Sequence, residues 1–448
     1  MRILYEDNHI IVCVKPVNMP VQRDETGDPD LLSELKAYVK EKYAKPGEVY
    51  LGLVHRLDRP VGGVMVFART SKAASRLMPQ FAQKGPQGAG KRYAALVCGE
   101  APAAGRLEDW LLKDEAERRS AVVPEGTEGA KKASLDFETV SRKNGLALVD
   151  VDLHSGRHHQ IRAQLSHAGY PIWGDQKYNP AAVPGEQIAL FAYSLSLEHP
   201  TLRERMTFTA LPEGGAWAPF SLEMRLLTCG LRCVYSDRDL LVINKPAGVT
   251  VANADGGERT LEAMLESAGL TCYPVHRLDA PTRGLVIFAR SESAKAALDE
   301  AIRARTIGKT YRLIAAGRPE KPSGTLDFFA VKETGGVRAF DSPCRGSAEM
   351  ITDYRVLETK GGFSLIEARL VTGRTHQIRA SFAHIGCPIV GDDRYGDREV
   401  NRSREARAIR GRAPMCLAAT DIEFRFPEGS FLQRLNGVKV SVSAPFEL

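Results

Sequence analysis

Apolar and polar positions along this chain alternate with two periods, and the two periods separate strands from helices. Residues 2–15 carry two short apolar runs on either side of Asp7 and Asn8 and stop at Pro16, which reads as two strands joined by a turn. Residues 64–68, VMVFA, form an unbroken β-branched and aromatic run, the pattern of a strand buried on both faces. Just after it, Thr70 or Ser71 can cap a helix whose apolar residues Ala74, Leu77, Met78 and Phe81 recur at helical spacing. Further strands are expected over RYAALVC (92–98) and LALVDVDLH (146–154), and a helix beyond them with Ile161, Leu165 and Ala168 turned inward. Strands therefore dominate, with helices between them: an α+β pattern rich in antiparallel pairing.

The same plan then starts again. LYEDNHIIVCVKPVNMPV (4–21) pairs with VYSDRDLLVINKPAGVTV (234–251), and VHRLDRPVGGVMVFART (54–70) with VHRLDAPTRGLVIFAR (275–290). GKRYAALVCGE (90–100) pairs with GKTYRLIAAGR (308–318), and SGRHHQIRAQLSHAGYPIWGDQKYN (155–179) with TGRTHQIRASFAHIGCPIVGDDRYG (372–396). Four matches in one order make the chain a tandem duplication of one domain, with expected domains at 1–225 and 226–448. In the second copy Ser291 or Ser293 takes the capping position, and Ala294, Ala297, Leu298 and Ala301 share one helix face.

Composition adds little until its distribution is considered. The chain has 448 residues, 43% apolar and 26% charged, ordinary for a globular protein of two or three domains. Its eight cysteines stand mostly singly in apolar stretches, and no secretory leader or long apolar run opens the chain. They read as free thiols in a reducing cytoplasm. Cys229 and Cys233 alone fall close together, without a second ligand pair for zinc. The net charge of +6 is carried as +1 before residue 226 and +5 after it, and residues 398–412 hold six arginines among fifteen. That segment is a candidate phosphate-contacting arm, with a solvated surface face as the plain alternative.

The charged cluster HRLD demands a chemical explanation, because it runs directly into a buried strand. An aspartate there is costly unless a cation pairs with it, and GRHHQIR supplies candidates. A guanidinium beside the carboxylate would hold it ionised, ready as nucleophile or general base. A plain ion pair pinning the strand is the alternative. Recurrence of acid, tyrosine and two arginines in both copies favours chemistry.

On these motifs, HRLD with its small-residue turn, K-x-Y and GR-x-HQ-I-R, the chain resembles the RluA-type RNA pseudouridine synthase family over nearly its full length, twice. The resemblance implies two tandem synthase-like domains, each a mixed, mainly antiparallel sheet with flanking helices and a central catalytic cleft. It points to Asp58 and Asp279 as catalytic carboxylates, with Arg56 and Arg277 prising the target nucleotide from its stack. It places Tyr93 and Tyr311 against the uracil, and Arg162 and Arg379 beside the catalytic carboxylates. Arg157 and Arg374, from the GR of the same motif, are expected RNA contacts. The implied reaction breaks the N1 to C1′ bond of a uridine in RNA and rejoins the base through C5, with neither metal nor cofactor. Ribosomal and transfer RNA are both candidate partners, no membrane is expected, and the chain is taken to be a cytoplasmic monomer.

Two departures shape the expectations. Where the family usually has Thr-Ser-Gly after HRLD-x-x, the first copy has Val61, Gly62 and Gly63, and the second Thr282, Arg283 and Gly284. Arg283 puts a long cation beside Asp279 in sequence, so if one site alone is active it should be the first, with the second copy serving as an RNA-binding module. The first strand lies at the very start of the chain, so no small basic RNA-binding module is expected before it. A metal-dependent hydrolase built from His154, His158, His159 and Asp152 is the weakest reading, because the motif accounts for those histidines without metal.

Overall fold

The computed structural model describes residues 1–82, 88–252, 259–411 and 413–448. Its chain divides into two compact units, Met1–Thr228 and Cys229–Leu448. The first ends at Thr228 because helix Ser221–Thr228 buries Met224 and Leu227 in the same apolar cluster as Trp217 and Phe220.

Among the described residues, each unit is built on an 11-stranded sheet. In the first unit the spatial order is Arg2–Glu6, Ile10–Lys15, Gly62–Ala68, Leu190–Glu198, Gly90–Cys98, Leu146–Leu153, Lys131–Lys143, Ala104–Asp114 and Arg119–Val123. Two short strands, Gly52–Leu53 and Arg205–Thr209, add to its middle. Pairing is antiparallel except where Gly62–Ala68 meets Leu190–Glu198, with Gly62 opposite Phe191 and Gly63 opposite Ala192. The second unit repeats the order, with its parallel junction between Arg283–Ala289 and Leu417–Phe424.

The buried run after HRLD is the strand Gly62–Ala68, every residue of which is buried. Strand alternation splits it between two cores: Met65 and Phe67 enter one with Tyr93, Val149 and Ile161, while Val64 and Val66 enter the other with Ala94, Leu96 and Phe220. Burial on both faces explains why its sequence is continuous rather than alternating.

Helix Ser71–Ala82 begins as expected, with Thr70 Oγ1 accepting the N–H of Ala73 at 3.1 Å. Ala74 and Leu77 are buried, but Met78 is 53% exposed: the buried side is narrower than the apolar spacing suggested. Phe81 lies flat against His55, with centroids 4.5 Å apart. Ser291 caps the equivalent helix through the N–H of Ala294. Helix Gln160–His167 buries Ile161 and Leu165, whereas Ala168 is its half-buried C-cap. The arginine-rich segment forms two short helices, Arg398–Arg402 and Arg404–Arg410, started by Asp397 and Ser403. Arg412 lies outside the described residues.

Candidate active site

In each unit the acid of HRLD sits on the loop that enters the parallel junction. That junction dictates the glycine after it. Gly63 has φ +139° and Gly284 φ +113°, and a Cβ at either would run into the backbone of Ala192 or Ala419 on the neighbouring strand. The turn is closed by the N–H of Val61 on the carbonyl of Asp58, and of Thr282 on that of Asp279, both at 3.0 Å.

A buried lysine holds the loop from beneath. Lys15 donates to the carbonyls of Pro16, Met19 and Arg59 at 2.6–2.9 Å, and Lys245 to those of Pro246, Val249 and Ala280 at 2.7–3.1 Å. Burial lowers each ammonium to about 8, partly offset by the nearby aspartate, so both remain mostly charged at neutral pH and use all three N–H bonds.

His55 and His276, the first residues of the two HRLD motifs, have a structural role in the fold. Nε2 of each accepts a backbone N–H from the buried strand, Val66 at 3.1 Å and Ile287 at 3.2 Å. Removal from water pushes both imidazoles down to about 3, so they stay neutral acceptors.

The arginine beside the acid is clamped by a second carboxylate. Arg162 donates Nε and one terminal nitrogen to Asp175 at 2.8 and 2.7 Å, and Arg379 donates likewise to Asp392 at 2.7 and 2.9 Å. The fork leaves the other terminal nitrogen facing the acid of HRLD, 3.5 Å from Asp58 and 2.9 Å from Asp279. Asp175 and Asp392 are fully buried, while the acids they serve keep side-chain exposures of 27% and 19%. Beneath each guanidinium lies an aromatic ring, Tyr178 at 5.1 Å or Tyr395 at 5.3 Å.

These groups line one cavity per unit, of about 470 Å³ in the first and 330 Å³ in the second. Asp58, Arg56, Tyr93, Arg157 and Arg162 line the first; Asp279, Arg277, Tyr311, Arg374 and Arg379 line the second. Arg56 and Arg277 are exposed and form no ion pair among the described residues. Arg157 and Arg374 are also exposed, each tied by Nε to a backbone carbonyl, of Lys132 or Glu349, at 3.1 Å. Gln160 and Gln377 fix that loop by accepting the N–H of Arg157 at 3.1 Å and of Arg374 at 2.9 Å. Burial, and then the charge of Asp58 or Asp279, pushes the phenols of Tyr93 and Tyr311 well above their ordinary range. Both are therefore neutral phenols with a buried face suited to packing.

Arg283 does not line the second cavity. Thr282 does, as Val61 does in the first. Alternation sets Arg283 with Leu285 and Ile287 on the opposite face of the strand, so it neither obstructs Asp279 nor reaches into its pocket. Nor do the four residues of the metal-hydrolase reading converge on a common point. His154 pairs with Asp136, His158 with Ser120, His159 with Tyr178, and Asp152 with Arg92.

Several members of the constellation escaped the sequence reading: Asp175, Asp392, Lys15, Lys245, Tyr178, Tyr395, and the cavity lysines Lys91 and Lys309. Their signal was present, since G-D-x-x-Y, K-P and K-x-Y each recur in both copies. What was lacking was any indication that G-D would fold back onto the arginine.

The sequence model of the RNA pseudouridylate synthase family matches the chain twice, at residues 9–167 and 239–384. An uncharacterized RNA pseudouridine synthase of Bacillus subtilis is 36% identical over 186 residues, which are 39% of this chain and 61% of that protein. Another, of Chloroflexus aurantiacus, is 40% identical over 168 residues, 35% of this chain and 51% of that protein. The ribosomal large subunit pseudouridine synthase D of Yersinia pestis is 35% identical over 205 residues, 42% of this chain and 57% of that protein. The chain thus spans between 51% and 61% of the length of these relatives. Among the described residues, no helix is long and apolar enough to cross a membrane.

Proposed function

Because the chain belongs to the RNA pseudouridylate synthase family in both of its units, we propose that it isomerises uridine in RNA to pseudouridine at two sites, centred on Asp58 and Asp279. The observation that carries this reading is the repeated constellation: in each unit a carboxylate, a clamped arginine and a buried tyrosine share one cavity inside a segment matched to the family.

In this reaction the N1 to C1′ bond breaks, a C5 to C1′ bond forms, C5 loses a proton and N1 gains one. Asp58 or Asp279 acts as nucleophile on the nucleotide or as base at the sugar, and its arginine holds the carboxylate in place by the contact of one terminal nitrogen. Tyr93 and Tyr311 provide the face on which the detached uracil turns, and the phenolic oxygen of each assists removal of the C5 proton. The target must leave its stack at a cost of a few kcal/mol, and Arg56 or Arg277, exposed at the cavity, fills the gap. Arg157 and Arg374, with Lys91 and Lys309, contact the phosphates.

Both units are read as working enzymes. Arg283 stays out of the second cavity, and the Arg379–Asp279 contact of 2.9 Å is closer than its counterpart in the first unit. No observation favours reducing the second unit to an RNA-binding module. Relatives include a ribosomal large subunit pseudouridine synthase and a tRNA pseudouridine synthase, so ribosomal and transfer RNA are the substrates to test first. The eight cysteines form no disulfide among the described residues; we take the chain to act as a monomer in a reducing, cytoplasmic setting.

Tritium release from C5-labelled uridine in total cellular RNA, with EDTA present, is the direct assay. Release that falls in part with Asp58→Asn and in part with Asp279→Asn, and vanishes with both, is the expected result. No release by the unaltered protein from any RNA would sink the reading.

A further inference from the structure

His159 and His376 occupy a position where a histidine makes no local sense. Each is the N-cap of a helix, Gln160–His167 or Gln377–His384, yet neither side chain caps it. Ser, Thr, Asp or Asn would satisfy an orphan N–H there. Each also holds a left-handed backbone, φ 51° and 52°, which is strained for a residue with a Cβ and persists only where the surroundings enforce it. Both units bear the same strain at the same place, so the side chain has a use elsewhere.

That use is visible at both ends of the ring. Nδ1 lies 3.0 Å from the hydroxyl of Tyr178 in the first unit and 3.0 Å from that of Tyr395 in the second. Each hydroxyl already accepts a backbone N–H, from Ser120 at 2.6 Å or Val337 at 2.9 Å, and has its own proton to give. In the second unit the carbonyl of Val337, at 3.2 Å, competes for that proton. Nε2 faces the acid, 3.8 Å from Oδ2 of Asp58 and 3.6 Å from Oδ2 of Asp279. A lone pair on Nε2 would face a carboxylate, so electrostatics as well as the tyrosine selects the tautomer with the proton on Nε2. Burial and the neighbouring Arg162 lower His159 to about 2, and burial also lowers His376, so both rings stay neutral. The separations exceed hydrogen-bond length, a common looseness before substrate draws a site together.

We infer that His159 and His376 are positioning residues, each donating Nε2–H to the same carboxylate oxygen that Arg162 or Arg379 faces, in a tautomer set by Tyr178 or Tyr395. Arginine and histidine together occupy Oδ2. Oδ1 of each acid has no partner among the described residues and is the oxygen left for the nucleotide. The inference rests on the synthase reading, and its test separates the two.

In an Asp279→Asn background, which leaves the first site alone at work, His159→Ala and His159→Gln are compared by tritium release. The amide nitrogen of glutamine falls close to the place of Nε2. His159→Ala should lower kcat by about ten- to a hundredfold, the range of one hydrogen bond to a charged group, with KM nearly unchanged. Gln should recover about tenfold of the loss. Equal impairment of Ala and Gln, or no impairment of Ala, overturns the inference while leaving the synthase reading intact. Nitrogen-15 NMR of the unaltered protein is a second measurement, independent of activity: the His159 ring should carry its proton on Nε2 at neutral pH, and a proton on Nδ1 overturns the inference. An Asp279→Asn parent that releases no tritium, while the double-site protein does, also overturns it, since the first site would then have no activity to position.

Discussion

Replacing Asp175 by asparagine tests the clamp on which the first site depends. Asp175 has a fully buried side chain and accepts two hydrogen bonds from Arg162, whose own side chain is 5% exposed, and a third from the N–H of Lys177 at 3.1 Å. Asparagine keeps the shape but removes the charge and turns one acceptor into a donor aimed at a guanidinium. Removing one partner of a buried pair typically costs about 3–5 kcal/mol, because the other charge is left uncompensated. Arg162 retains Asp58 at 3.5 Å, which places the expected loss near the lower end, about 3 kcal/mol. The assay is convenient, since Trp110, Trp173 and Trp217 are the only tryptophans and all belong to the first unit. Urea unfolding followed by tryptophan fluorescence should show the midpoint falling markedly. Turnover at the first site, measured in the Asp279→Asn background, should fall with it. The pair Arg162→Met with Asp175→Leu separates stability from chemistry: apolar replacement of a buried ion pair should restore much of the midpoint and none of the turnover. An unchanged midpoint and unchanged turnover in Asp175→Asn would refute the clamp.

Three further outcomes are expected. Burial works to raise Asp392, but Arg379 and the N–H groups of Tyr395 and Arg394 overcome it and hold the carboxyl below its ordinary value. Its contribution to stability is therefore complete above the unfolded aspartate value of about 4 and lost as pH falls through the lower folded value, so acid unfolding of Asp392→Asn should lack that component. Gly284→Ala should destabilise the second unit by about 2 kcal/mol or more in denaturant titration, because φ +113° and the Ala419 backbone both oppose a Cβ; an unchanged midpoint would show that the junction yields. Replacing Arg398, Arg402, Arg404 and Arg407 together, all exposed on the two arm helices, should weaken RNA binding and flatten its salt dependence by about 0.7–0.9 of slope for each phosphate no longer neutralised; an unaltered slope would make the arm an ordinary solvated surface.

His55 and Arg283 show what distance along the chain leaves open. His55 lies three residues from Asp58, a spacing that does not say whether it faces the acid. The strand that follows folds back over it, and the N–H of Val66 claims its free nitrogen. Arg283 lies four residues from Asp279, yet the side to which it points is set by strand parity relative to Leu285 and Ile287. In both cases distance along the chain was legible and direction was not.

The duplication, the dominance of strands, the buried run after HRLD and the recurring acid, tyrosine and arginines were all determined by the sequence alone, because repeats and periodicity are local or order-preserving properties. The pairing of Arg162 with Asp175, thirteen residues along, the bond of Lys15 to the Arg59 carbonyl in the loop that carries Asp58, and the turning of His159 toward that acid were decided by the tertiary structure. Each depends on which backbone and side-chain groups are brought opposite one another when a parallel junction closes and a helix starts in a left-handed residue. A buried charge takes whatever partner the closed fold leaves within reach, and that partner is set by the packing of distant segments rather than by the residues beside it.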